Sequence, residues 1–108
     1  MVDQIDPESV LDVLSDEYGR EILETLCQSG SALTAPEIAK RCGFSRATVY
    51  RRLETLESAS LVTTETRFDP DGHHQNCYRG DPARLSLSVC SDGLYGTVST
   101  DSASAAEP

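Results

Sequence analysis

A short run of cations stands out in a chain that is otherwise acidic. The 108 residues carry a formal net charge of −9, with 18 Asp and Glu against 9 Lys and Arg. Residues 40–52 nevertheless contain five cations and no acid: Lys40, Arg41, Arg46, Arg51 and Arg52. Positive groups concentrated in this way are suited to contact phosphate oxygens. The alternative interpretation is an amphipathic surface helix whose arginines are solvated.

Most of these cations fall on a helix that the sequence predicts over residues 45–58. Apolar side chains recur there at helical spacing and define its buried side: Val49, Leu53 and Leu56. Ser45 is the predicted N-cap. The backbone N–H groups at that end, together with the positive end of the helix dipole, favour a bound phosphate.

Three further helices are predicted ahead of the basic one. Their spans are about 7–15, from 15 or 16 to about 28, and 34–41. The first begins with Asp6 as N-cap and Pro7 in the first turn. The third opens with Thr34 and Glu37, which have the spacing of a capping box.

Two hairpins are predicted after the basic helix. The first pairs residues 61–68 with residues 74–79 around Asp69-Pro70-Asp71-Gly72, a sequence that suits a type I turn. The second and weaker hairpin covers residues 85–98. The tail, residues 99–108, has nothing to bury and is expected to be disordered.

Short helices, a turn containing Gly, a capped basic helix and a hairpin follow the order of a winged helix-turn-helix. The stretch LTAPEIAKRCGFSRATVYRRLETLESASLVTTETRFDPDGHHQNCYR resembles the DNA-binding segment of ArsR-like winged helix-turn-helix regulators. The DPDGHH turn and the acidic composition are most similar to their haloarchaeal members. The resemblance covers about residues 8–80.

The resemblance implies an α+β, mainly α fold: a winged helix-turn-helix of three to four helices with a β-hairpin wing. The expected domains are a DNA-binding domain over 1–80, a small C-terminal β-hairpin extension over 81–98 and the tail. The expected function is a transcriptional regulator that binds duplex DNA as a dimer. Helix 45–58 would enter the major groove, and the 61–79 hairpin would be the wing.

Helix geometry assigns roles on the basic helix. At about 100° per residue, four side chains lie on or beside the side that faces away from the core: Ala47, Thr48, Tyr50 and Arg51. Arg51 is the best candidate for base readout, and Ala47 or Thr48 for contact with a thymine methyl. Arg46 and Arg52 lie nearer the buried side, so they are expected to reach phosphates.

The predicted wing adds secondary candidates. Arg67, His73 and His74 cluster at or beside its turn, and wing tips in the family that the chain resembles lie along the DNA backbone or in the minor groove. Asp69 and Asp71 at the same tip would repel phosphates. The alternative is a solvated hairpin whose Asp-Pro-Asp-Gly serves only the turn.

Two features depart from the family pattern. Such chains usually have Gly after the recognition helix, where this chain has Ser60, so we expect either mild strain there or a different helix end. The family also commonly has a C-terminal helix for dimerisation. Here helix 1 and the 85–98 hairpin are predicted to form the dimer contact together.

The four cysteines contain no Cys-x-x-Cys pair, and the Cys-x-Cys metal motif of ArsR-like sensors is absent. His73, His74 and Cys77 lack a fourth ligand, so no metal and no cofactor are predicted. Cys42 is expected to be a buried structural thiol. A redox role that links subunits through Cys27 or Cys90 is a minority hypothesis.

Composition and motifs bound the remaining possibilities. No apolar run could span a membrane and no secretory signal is apparent, so a cytoplasmic protein is expected. Abundant acids with a single Lys are typical of proteins from a salt-loaded cytoplasm. No catalytic motif is recognisable, so no enzyme is predicted. The alternatives to a DNA-binding regulator are a thiol- or metal-responsive sensor and a winged-helix adaptor that binds another protein.

Overall fold

The computed structural model describes residues 2–99, which form four helices and six strands. The helices are α1 (Pro7–Ser15), α2 (Glu17–Ser29), α3 (Ala35–Cys42) and α4 (Arg46–Ser58). The strands are β1 (Val2–Ile5), β2 (Leu33–Thr34), β3 (Thr63–Phe68), β4 (His74–Arg79), β5 (Arg84–Cys90) and β6 (Gly93–Ser99). The predicted disordered tail lies outside the described residues, except for Ser99, which ends β6.

The helix boundaries follow the capping signals of the sequence. Asp16 is the N-cap of α2, and its carboxylate accepts from the Gly19 N–H at 2.7 Å. Thr34 and Glu37 form the predicted capping box at the start of α3. Gly43 ends α3 in the left-handed conformation, with φ 75°. Side chains close to each helix start therefore satisfy backbone donors that the helix itself leaves unpaired.

Just after α4, Ser60 occupies the position where a glycine was expected. Ser60 has φ 63°, the left-handed conformation that glycine adopts without steric cost. The Ser60 N–H donates to the Glu57 carbonyl, and the Leu61 N–H donates to the Leu56 carbonyl, both at 3.0 Å. These are the two hydrogen bonds of a Schellman motif. The expected strain at Ser60 is present, and the helix ends in the usual way despite it.

The first hairpin, β3–β4, is the predicted wing. Its turn is the expected type I turn, closed by the Gly72 N–H donating to the Asp69 carbonyl at 2.9 Å. Gly72 follows with φ 87°, so the hairpin has a three-residue loop. The strand begins at Thr63 rather than at residue 61, because Leu61 and Val62 are buried in the core. The short β2, which the sequence did not predict, pairs with β4 and completes a sheet of order β2-β4-β3.

The second hairpin, β5–β6, belongs to a separate sheet of order β1-β6-β5. The hairpin itself was predicted, but the N-terminal strand that joins it was not. Asp3 lies opposite Val98, and Ile5 lies opposite Gly96. The two ends of the described chain are therefore joined by backbone hydrogen bonds, next to α1.

One core holds the helices and both sheets together. Its main members are on α2, α3 and α4: Ile22, Leu26, Ile38, Val49, Leu53 and Leu56. Tyr78 of the wing and Val98 of β6 belong to the same cluster, and Ile5 and Leu85 pack against it. The architecture is a small α+β winged helix-turn-helix with C-terminal strands. Among residues 2–99, no helix has both the length and the apolar character needed to span a membrane.

Candidate nucleic-acid interface

The helix α4 has one buried side and one open side. Val49, Leu53 and Leu56 are fully buried, as their spacing predicts. On the opposite side, Ala47 and Arg51 are exposed, and Tyr50 has half of its surface in solvent, while Arg46 is exposed nearer the buried side. Thr48 is half-buried beside them. Because Ala47, Tyr50 and Arg51 are exposed to solvent, neither hairpin of the described chain covers the open side.

The start of α4 has the geometry of a phosphate-binding helix end. The Ser45 Oγ accepts from the Thr48 backbone N–H at 3.2 Å and donates to the Thr48 Oγ1 at 3.0 Å. The first-turn N–H groups of Arg46 and Ala47 have no acceptor within the helix and point along its axis. They lie beside the exposed side chain of Arg46. An anion at this end would meet backbone donors, the helix dipole and a guanidinium together.

Arg52 is engaged within the protein. Its Nε lies 2.6 Å from the Asp16 Oδ2 at the start of α2, and both side chains are less than one-third exposed. The contact is an ion pair without a well-aligned hydrogen bond. The guanidinium carbon also lies 5.5 Å from the ring centroid of Tyr18, within the range of a cation–π interaction. This geometry argues against the expected phosphate contact of Arg52, because leaving Asp16 would cost both interactions.

The same contacts hold the start of α4 in place. Tyr18 packs edge-to-face against Phe44 in the turn before α4, with ring centroids 5.0 Å apart. Asp16 and Tyr18, near the start of α2, thus hold α4 at two points. One point is Phe44, just before the first turn of α4, and the other is Arg52, in its second turn. We call Asp16, Tyr18, Phe44 and Arg52 the α2–α4 clamp. It sets the orientation of the helix that presents the open side.

Arg67 of the wing is also engaged within the protein. Its Nη2 donates to the Ala32 carbonyl at 3.2 Å, and its Nη1 lies 3.9 Å from the Glu37 Oε1. The side chain ties β3 to the start of α3. The expected DNA contact of Arg67 is therefore not supported by its placement. Helical and strand periodicity could not reveal this, because the acceptor lies 35 residues away in sequence.

Glu37 links the capping box of α3 to this tether. The Thr34 backbone N–H donates to the Glu37 Oε1 at 2.8 Å. That hydrogen bond is the main reason why the pKa of Glu37 lies below its ordinary value, with smaller contributions from the Thr34 hydroxyl, Arg67 and Arg41. The carboxylate is therefore charged at neutral pH, and it pairs with Arg67 near the tip end of β3.

The wing tip presents an aromatic pair that the sequence analysis did not single out. Phe68 and His74 are opposite each other in the β3–β4 register, and their rings meet edge-to-face with centroids 4.8 Å apart. Phe68 is 72% exposed, which is high for a phenylalanine. His73 is exposed just before β4. The sequence contains a signal for this pair. A three-residue loop, residues 70–72, pairs Asp69 with His73 and therefore places Phe68 opposite His74.

A groove separates the wing from α4. It encloses about 300 Å³, and its lining side chains come from both elements and from the start of α3: Thr34, Ala35, Pro36, Tyr50, His74, Gln75, Asn76 and Tyr78. Burial raises the pKa of the Tyr78 phenol, with smaller contributions from Tyr50 and Glu57. The phenol is therefore neutral and can donate a hydrogen bond. The groove is lined by aromatic and polar side chains, with no Asp, Glu, Lys or Arg among them.

The cysteines are dispersed over the structure. Cys77 is buried, Cys42 lies 3.4 Å from the Thr25 hydroxyl, and Cys90 is exposed at the end of β5. Cys27 is half-buried, and burial, with a smaller contribution from Asp81, raises the pKa of its thiol. A raised pKa leaves less thiolate for oxidation, so Cys27 is poorly suited to the redox role considered above.

The His-His-x-x-Cys run does not form a metal site in the described structure. His74 packs against Phe68, whereas Cys77 is buried and lies at an odd spacing along β4, on the other face of the hairpin. Across residues 2–99, no three His, Cys, Asp or Glu side chains are placed to hold a metal ion.

Two comparisons with known proteins bear on this geometry. A search of curated proteins finds no match to the chain. Residues 14–65 match the model of a family described as a helix-turn-helix domain. The matched part runs from the end of α1 to the first half of β3, so it contains α2, the clamp, the turn and the whole of α4. This part of the chain is thus similar to a helix-turn-helix domain of the kind found in DNA-binding regulators.

Proposed function

We propose that this protein is a DNA-binding transcriptional regulator of the ArsR-like type. It binds duplex DNA as a homodimer, with α4 in the major groove and the β3–β4 hairpin as the wing. The observation that carries the proposal is the first half of α4, which is capped, basic and exposed on its open side, while the opposite side of the helix is buried in the core. The match of residues 14–65 to a helix-turn-helix domain supports it.

The contacts divide between bases and backbone. Arg51 reads a base edge, because it is exposed on the outward side of α4 and its planar guanidinium suits bidentate recognition of guanine. Ala47 and Thr48 lie one turn earlier and contact the same groove. Ser45 and Arg46 bind a phosphate at the start of the helix. Arg52 orients α4 through the clamp and makes no direct contact.

The wing binds through its aromatic tip and not through Arg67. Phe68 and His74 are exposed together at the tip, and His73 precedes them. These groups lie against the sugar-phosphate backbone or the edge of the minor groove. Asp69 and Asp71 limit how closely the tip approaches phosphates, so we assign the wing a smaller part of the affinity than α4.

The charge distribution predicts a shallow dependence of binding on salt. Each neutralised phosphate contributes a slope of about −0.9 in log affinity against log salt. Of the five cations in residues 40–52, Arg52 is occupied by Asp16 and Arg51 is assigned to a base. The acid-rich composition also fits a protein that works at high salt, where electrostatic affinity is largely screened.

Fluorescence anisotropy with a labelled pool of random-sequence duplexes, titrated at several KCl concentrations, tests the proposal. We expect duplex binding that single-stranded pools of the same length do not reproduce, with a salt slope clearly shallower than about −5 per subunit. A slope near that value would contradict the division between base and phosphate contacts. Absence of any duplex binding at low salt would instead favour the adaptor alternative and overturn the proposed function.

A further inference from the structure

The outer strand of the C-terminal hairpin is an unprotected sheet edge. β5 has seven residues, and its register with β6 runs from Arg84 to Cys90 without a bulge. Its outer side faces no other strand of the described chain. Natural edge strands are commonly blocked by inward-pointing charges, prolines, bulges or short length. β5 has none of these, since its only charged residue is Arg84 at one end.

The other edge strands of the structure are protected. β1 and β2 have four and two residues, which is too short for extensive pairing. β3 has six residues, but it carries two charged side chains: Glu65 pairs with Arg79 of β4, and Arg67 pairs with Glu37 of α3. The lack of protection is therefore specific to β5.

An apolar patch continues from the core along one face of this hairpin. Leu85, Leu87 and Val89 alternate onto the same face of β5, opposite Val98, Gly96 and Leu94 of β6. The end near Val98 and Leu85 packs against the core. The other end extends beyond the helices, where Leu87 is 41%, Leu94 45% and Val89 85% exposed. We call these three side chains the apolar overhang.

The charges of the C-terminal hairpin indicate which kind of partner strand can pair with β5. Arg84 and Asp92 are the only charged residues of the segment 84–99, at opposite ends of the strand in a chain of net charge −9. The Asp92 carboxylate accepts from the Tyr95 hydroxyl at 2.8 Å, which keeps it on the face that also carries Arg84. In an antiparallel pair of two β5 strands, Arg84 of each copy lies beside the 91–92 turn of the other. The edge is thus complementary to itself.

We propose that two copies of this chain pair through β5 in antiparallel fashion about a two-fold axis at Leu87. The result is a continuous six-stranded sheet of order β1-β6-β5-β5-β6-β1. Leu87 then faces Leu87 of the second copy, and Val89 faces Leu85 of the second copy, which covers the overhang. All seven residues of β5 pair, which no other register allows. The inference specifies the homodimer of the proposed function, but its test contains no DNA, so the two can fail separately.

Sedimentation velocity of the full chain in concentrated KCl tests the pairing. Val89→Lys places a charge on the proposed interface, and the 85% exposure of Val89 means that the fold of the single chain tolerates it. We expect its dimer dissociation constant to rise about tenfold or more. Phe68→Lys, an equally drastic change on the other hairpin, should leave the dimer unchanged. A monomeric native protein, or equal effects of the two variants, would overturn the proposal.

Cysteine cross-linking tests the register. In a Cys90→Ser background, Leu87→Cys places two thiols opposite each other at the axis. Leu94→Cys, of matched exposure, places them three strand spacings (about 14 Å) apart across the sheet and four residues (about 13 Å) apart along the strands. Oxidation should give a covalent dimer for Leu87→Cys and not for Leu94→Cys. A dimeric protein in which Leu87→Cys does not cross-link, or in which both variants do so equally, would refute the β5 pairing.

Discussion

The two hairpins of this protein share a design and differ in what they offer to a partner. Each is extended by a short strand from earlier in the chain, β2 beside the wing and β1 beside the C-terminal hairpin. The outer strand of the wing carries charged side chains that are tied back to the protein, and its tip is aromatic and polar. The outer strand of the C-terminal hairpin is nearly uncharged and carries the apolar overhang. In our proposals, charge on the edge strand, rather than the hairpin architecture, distinguishes the hairpin assigned to nucleic acid from the hairpin assigned to a second copy of the chain.

The two hairpins are also held to the body by different forces. The wing combines the buried Cys77 and Tyr78 at its base with the Arg67 tether to Ala32 and Glu37. The C-terminal hairpin is joined to the core through apolar contacts of Val98 and Leu85 and through the β1 ladder. Salt and pH should therefore act on the wing side more than on the C-terminal side.

The largest expected effect is a loss of stability that differs between the two ends of the C-terminal hairpin, the end at Val98, which packs in the core, and the exposed end at Val89. Val98→Ala removes two methyl groups from a side chain that is only 1% exposed, and should lower the free energy of unfolding by about 2 kcal/mol. The matched control, Val89→Ala on the overhang, should change it by less than about 0.5 kcal/mol. Both changes are measured by denaturant unfolding at protein concentrations below the dimer dissociation constant, so that the monomer is observed. Equal losses would mean that the two ends of the hairpin are not packed differently.

The link from α4 into the wing contains strain that the C-terminal hairpin avoids. Ser60 holds φ 63°, whereas Gly93 supplies the positive φ at the other hairpin. Ser60→Gly should raise the free energy of unfolding by about 1 kcal/mol, because glycine adopts the left-handed conformation without steric cost. Thermal unfolding followed by circular dichroism is the measurement. A destabilised variant would show that the Ser60 side chain makes compensating contacts.

A smaller effect is expected from the α2–α4 clamp. Asp16→Asn keeps an N-cap for α2 but removes the charge that pairs with Arg52. A double-mutant cycle with Arg52→Gln should give a coupling energy of about 0.5 kcal/mol at low salt. Concentrated KCl should reduce that coupling, while the effect of Val98→Ala should persist. Additive single-variant losses at low salt would contradict the clamp.

The smallest effect concerns pH at the contact between Arg67 of the wing and Glu37 of α3. Because the folded-state pKa of Glu37 is lowered, its contribution to stability is present above its unfolded pKa and lost as pH falls through the folded one. Glu37→Gln should therefore flatten the acid side of the stability profile slightly. The effect is small because the carboxylate is half-exposed. Melting temperatures of both proteins from neutral to acidic pH make the comparison, and parallel profiles would exclude this role for Glu37.

Local signals in the sequence were sufficient to predict the helices and the wing turn. Asp6, Thr34, Ser45 and Gly43 mark helix ends because caps act on backbone groups within a few residues. The strands β1 and β2 were missed since their partners lie far along the chain and each is too short to show alternation.

The candidate site was less predictable than the fold. The helical position of Arg51 follows from its spacing to Val49 and Leu53. The engagement of Arg52 does not, because it depends on where the start of α2 packs against α4. The pairing of Phe68 with His74 follows from the hairpin register, but the exposure of both rings depends on the packing of the wing.

The central claim, that Arg51 on the open side of α4 reads a base, is tested most directly by selecting duplexes from a random-sequence pool. The native protein and Arg51→Ala are compared, with Arg20→Ala as a control that removes the same charge from α2. The account predicts one enriched sequence for the native protein and for Arg20→Ala. For Arg51→Ala it predicts a loss of about 10- to 100-fold in affinity and relaxed preference at one base pair. Identical enriched sequences and affinities for the native protein and Arg51→Ala would contradict it.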